Sequence, residues 1–176
     1  MARRHPSLIP LSRDHRDALA LAFRLKHPSP PGPATAVTPP STPEGRARET
    51  LDFFAAHLAG HFRAEEQILF PAIVASPAAD DACRALVAQL VAGHRTMERE
   101  RDAIAAALAS GTGLADALGA FSDTLERHVR CEERELFVRF DGLVAEPAAG
   151  GLLEPIVAVL DARPPRACAL PDTGGA

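Results

Sequence analysis

Apolar residues along this chain recur at three- and four-residue spacing over long stretches, and Pro and Gly clusters divide those stretches. In the segment 114–140 the sequence places Leu114, Leu118, Phe121, Leu125 and Val129 on one stripe, the period of an amphipathic helix. The same reading predicts a first helix over 12–26, with Ser12 as its N-cap. A second runs over 45–75, with Pro71 kinking or ending it. A third covers 78–110, where Asp80 and Asp81 suit the positive end of the helix dipole. Gly111, Thr112 and Gly113 make the turn into the fourth helix, 114–140, and LLEPIVAVLDA adds a short fifth. Between the first two helices lies the Pro-rich stretch 27–44, which cannot be helical and is expected to be a surface loop. The tail 163–176 is expected to be disordered. Long helices with short turns predict an all-α, up-and-down four-helix bundle occupying 1–162 as one domain.

Composition agrees with helix over strand. The apolar content is mostly Ala and Leu, with no Trp and no Tyr and eight Phe. The net charge of −4 leaves no basic footprint for nucleic acid or an anionic membrane. No apolar run approaches the ~20 residues of a membrane-spanning helix. Cys83, Cys131 and Cys168 are odd in number and scattered, which argues against a disulfide framework and for a reducing, cytoplasmic setting.

The candidate chemistry lies in the histidines. His15, His57, His61, His94 and His128 fall within helices, with at least one on each of the four. A residue four positions on is rotated by only ~40°, so an HxxxE pair presents both side chains on one face. That pair occurs as His61 with Glu65, His94 with Glu98, and His128 with Glu132. A single such pair is ordinarily a surface contact contributing a few tenths of a kcal/mol. Here Phe54, Leu58, Phe62, Ile68 and Leu69 surround the first pair, and Leu125, Val129 and Leu136 the last. Carboxylates directed into such a core carry a heavy desolvation cost unless a cation ligates them. Imidazole with carboxylate suits iron, with zinc or manganese as substitutes. Glu66 and Glu133, each turned ~100° from the motif glutamate, are expected to face solvent. Glu98 sits in the charged run RTMERERD, and His57 lies one turn before His61; both are further candidates. Cys131, between His128 and Glu132, reads first as a small residue at a helix contact.

HFRAEEQILFP and HVRCEERELF share a His, a Glu pair and a Leu-Phe at identical offsets. Together with SRDHRDAL and GHRTMERE, in this order over about 11–140, they resemble the hemerythrin-like, or HHE cation-binding, family. The resemblance implies a four-helix bundle around an oxo- or carboxylate-bridged di-iron centre. His15 and His61 would ligate one iron, His94 and His128 the other, and Glu65 and Glu132 would bridge. Some members place the last carboxylate one residue later, which here is Glu133. Invertebrate oxygen carriers of the family pair two histidines on the third helix, whereas this chain has Glu98 at the partner position. That exchange favours oxidised iron over simple oxygen storage. The HxxxE order differs from the ExxH spacing of ferritin-like di-iron proteins, and the lack of Tyr excludes a tyrosyl radical. Two functions are therefore expected: binding or sensing of oxygen, nitric oxide or iron, or an enzyme acting on peroxide or other reactive oxygen and nitrogen species.

Overall fold

The computed structural model describes residues 4–27, 42–145 and 147–162, all helix and turn with no strand among them. A single 3-10 turn, Pro6–Leu8, leads into α1, Ile9–Lys26. The helix begins before Ser12 because proline is compatible with a first helical turn, where its missing N–H has no partner to lose. Ser12 is thereby released from capping, and its hydroxyl donates instead to Glu133, at 2.8 Å.

The second helix, α2 (43–74), starts at Thr42, whose side chain accepts from the Gly45 amide. Thr42, Pro43 and Glu44 therefore belong to a helix start, and the rest of the Pro-rich stretch, 28–41, lies outside the described residues, as does 163–176. Pro71 does not end α2. A π turn, Glu65–Leu69, stands immediately before its segment Phe70–Val74. Gln67, whose carbonyl a proline ring at 71 would meet in a regular α-helix, lies within that wider turn. A second π turn, Phe54–Leu58, lies higher in the same helix.

Helix α3, Asp81–Ser110, is capped by Asp80, whose carboxylate accepts from the Cys83 amide at 2.7 Å. Gly111 and Gly113 both sit at φ 71°, the left-handed region that ends α3 and opens the next helix within three residues. The fourth helix, α4 (114–143), is regular over Leu114–Cys131, then passes through a π turn, Glu132–Leu136, and a 3-10 turn, Phe137–Arg139. The fifth helix, α5 (Leu153–Asp161), packs on the middle of α2 and on the N-terminal 3-10 turn.

Helix α4 makes the most extensive pairings, with α1 on one side and α3 on the other. The interior is two apolar plugs with a polar layer between them. One plug gathers Leu11, Leu69, Phe70, Ile73, Leu90, Leu136, Phe137 and Phe140, with Ile156 from α5. The other gathers Leu21, Phe54, Leu58, Met97, Ile104, Phe121 and Leu125. His15, His61, His94 and His128 occupy the level that separates them, each flanked along its own helix by residues of both plugs.

Phe121 has no exposed surface and edges toward Phe54 at 6.3 Å between ring centroids. Phe121→Ala should lower the unfolding free energy by about 3–5 kcal/mol, measured by denaturant titration, because the cavity it leaves is walled by helices on all sides.

Candidate metal centre

Helical spacing brings His61 and Glu65 of α2, and His128 and Glu132 of α4, onto the inner face of the bundle. His15 from α1 and His94 from α3 complete the layer. All six are buried, Glu65, Glu132 and His94 completely. The His61 and His94 Nε2 atoms stand 3.1 and 3.2 Å from the two oxygens of Glu65. Those of His128 and His15 stand 3.2 and 3.1 Å from the two oxygens of Glu132. Donor atoms fall into two overlapping groups that could each hold an ion: His15, His61, Glu65 and Glu132, and Glu65, His94, His128 and Glu132. Both carboxylates belong to both groups, so each can bridge.

The outer edges of the rings set what the inner edges can do. His15 Nδ1 donates to Glu133 at 2.8 Å, His61 Nδ1 to Asp14 at 3.2 Å, and His94 Nδ1 to Glu66 at 2.8 Å. A carboxylate accepts, so in the neutral ring the proton is on Nδ1 and the Nε2 lone pair points inward. The Nε2 atoms of His15 and His61 are 2.9 Å apart, a separation at which two lone pairs repel unless a proton or a cation lies between them. Both oxygens of Glu65 and of Glu132, and Nε2 of His94 and of His128, are buried without a hydrogen-bond partner. Such a convergence of orphaned acceptors is costly in any core except one that holds cations. The residues therefore fit bound metal.

Aromatic packing fixes the rings. Phe62 stacks on His94 at 3.9 Å, and Phe137 stacks on His15 at 5.3 Å. Glu65 and Glu132 are followed by π turns, Glu65–Leu69 and Glu132–Leu136. Each turn puts a residue five positions on, Phe70 or Phe137, back on the buried face beneath the carboxylate.

The remaining candidates lie outside this cluster. Met97 takes the inward position one turn beyond His94, so Glu98 turns out and pairs with Arg95 at 3.0 Å. His57 lies a turn away from the layer, half-buried and stacked on Phe53 at the level of the second apolar plug. Glu66 and Glu133 do not face solvent as their ~100° offset suggested. They turn toward neighbouring helices, hold His94 and His15, and are themselves paired with Arg95 and Arg4. Asp14 was not singled out by its sequence position, because a lone acid before a helical His carries no signal. The doubled Glu in both repeats of the echo was the available clue to Glu66 and Glu133. Cys131 packs at the edge of the core, with its thiol toward Glu135 at 3.7 Å; burial and then that carboxylate push it up to about 11, so it stays protonated.

Electrostatics without metal are dominated by proton sharing. Burial alone would lower His61, but Glu65 and Asp14 outweigh it and lift it to about 10. His15 and His94 are raised in the same sense against the same desolvation, and Glu65 and Glu132 are held low despite burial by their histidines. A raised histidine contributes stability that is complete below its unfolded value, near 6.5, and is lost as pH climbs through the folded value. The metal-free chain should therefore lose stability between neutral pH and about 10, followed by denaturant midpoints, and His61→Gln should flatten that slope. A midpoint that rises over this range would contradict the proton-sharing account.

Residues 10–140 match the family described as hemerythrin, the hemerythrin HHE cation binding domain. No curated protein and no solved structure matches the chain.

Proposed function

Because the chain belongs to the hemerythrin HHE cation-binding domain family, we propose that it is a non-haem di-iron protein that binds or senses oxygen, nitric oxide or iron itself at this centre. The observation that carries the reading is the pair of overlapping donor groups sharing Glu65 and Glu132. Four imidazoles and two carboxylates are a donor set that suits iron, with zinc or manganese as the competing occupants. Two irons so held would supply reversible one-electron chemistry and, since each group offers fewer protein donors than an octahedral ion takes, open positions for a small ligand. The chain's own part is to keep the Nε2 lone pairs aimed inward through Asp14, Glu66 and Glu133, and to exclude water above and below through the two apolar plugs.

A second reading, an enzyme turning over peroxide, draws support from those same outer carboxylates. They make three of the four imidazoles more basic and so favour the oxidised metal, which suits redox turnover better than storage. No helix among the described residues is long and apolar enough to cross a membrane, and we assign the chain to the cytoplasm on the scatter of its cysteines.

Metal analysis of the purified chain should return about two irons, and Glu65→Ala, which removes a shared ligand, should lose both rather than one. Zinc at both positions would sink the iron assignment. Addition of peroxide to the iron-loaded protein separates the two functions. A lasting spectral shift without oxygen release supports binding or sensing, and sustained oxygen release supports the enzyme.

A further inference from the structure

The two donor groups are not held alike. His15 and His61 are each clamped on the outer side by a carboxylate, Glu133 and Asp14, and so is His94, by Glu66. No carboxylate among the described residues reaches Nδ1 of His128. What borders that nitrogen is Gly93 of α3: a Cβ built there would stand 2.7 Å from Nδ1 and 3.4 Å from Cε1. The imidazole thus fits only because residue 93 has no side chain. His128 is also the most exposed of the four, at 7% against 3% for His15, 2% for His61 and none for His94. A surface cleft of about 540 Å³ is lined mainly by α4 residues, among them Arg127 and Cys131, one before and three after His128 in sequence, and by Gln89 of α3, one turn before Gly93; Gly93 and His128 do not themselves line it.

We propose that the position formed by His94 and His128 is the exchangeable one, that His128 is the ligand that yields, and that Gly93 is the positioning residue that seats it. The inference rests on the metal-centre reading above and adds which half of the centre opens, and where. With both ends of the polar layer closed by apolar plugs, the α3–α4 seam at Gly93 and His128 is the route by which an ion reaches or leaves the bundle. Loss of the outer group that fixes a ligating histidine weakens metal binding about 10–100-fold, and His128 is the one imidazole of the four with no outer carboxylate among the described residues. The His94–His128 position should therefore release its ion that much sooner than the His15–His61 position.

The test loads the full chain with ferrous iron without oxygen, adds excess of a chromophoric ferrous chelator, and follows iron release. The unaltered chain should release iron in two phases of equal amplitude, separated by at least about tenfold in rate. Gly93→Ala should halve the iron bound, abolish the fast phase and leave the slow phase unchanged. Gly119→Ala, where an added Cβ meets nothing within 4 Å, should behave as the unaltered chain. Glu66→Gln should quicken only the fast phase and Asp14→Asn only the slow one, which decides the matter even if Gly93→Ala does not fold by circular dichroism. A single release phase overturns the proposal, as does a Gly93→Ala chain with full iron and unaltered rates; both leave the di-iron reading intact. A chain that takes up no iron overturns that reading and the inference with it.

Discussion

Everything in this bundle is arranged around two carboxylates, Glu65 and Glu132, with no exposed surface and no hydrogen-bond partner for any of their four oxygens. Burying an isolated carboxylate costs several kcal/mol even after relaxation. Two of them at the centre of an 18.6 kDa protein are tolerable only if positive charge is delivered to the same place. The structure does so from every side: four imidazoles converge on them, and each can carry a proton or cede its lone pair to a metal. Protons and metal ions thus compete for one set of atoms, and the histidines raised by their acidic neighbours describe the proton-filled alternative.

That constraint propagates outward in layers. The imidazoles must point inward, so their outer nitrogens need acceptors, and Asp14, Glu66 and Glu133 supply them for three of the four. Those acids then need partners: Arg95 bridges Glu66 to Glu98, and Arg4 with Ser12 holds Glu133. The N-terminal turn, which looks peripheral in the chain, is in this way connected to the centre. Its Ser7 hydroxyl also ties it to the Ala149 carbonyl, so the C-terminal segment is anchored beside the same support. Surface ion pairs of this kind contribute little to stability individually. Their role is to hold a geometry.

Much of this was legible in the amino-acid order. The ends of α3 were marked by Asp80, although the helix starts at Asp81 and not at 78, and by Gly111 with Gly113, because caps and left-handed glycines act locally. The HxxxE pairs around His61 and His128 were readable because one face of a helix is a short-range property. Three things were not. Ser12 read as an N-cap, whereas the helix starts at Ile9 with Pro10 inside its first turn. Pro71 read as kinking or ending its helix, which instead runs on to Val74 past a π turn that leaves no compositional trace. The outer carboxylates were hidden because Glu66 and Glu133 are judged on a lone helix to face water, and only the neighbouring helix shows that they face a histidine. Glu98 shows the reverse: its spacing from His94 is right, but Met97 has taken the inward place.

The π turns that follow Glu65 and Glu132 bear on how chains of this kind should be aligned. A wider turn accommodates one residue more than an α turn of similar advance, so it shifts the phase of everything after it. A sequence one residue shorter at either place would close the bulge into ordinary helix and keep both apolar plugs facing inward. A gap inside a helix, normally a sign of misalignment, is therefore admissible at 65–69 and at 132–136. The same gap opposite His94, in the uninterrupted helix Asp81–Ser110, would rotate every later residue of α3 by about 100° and turn Met97 and Ile104 toward water.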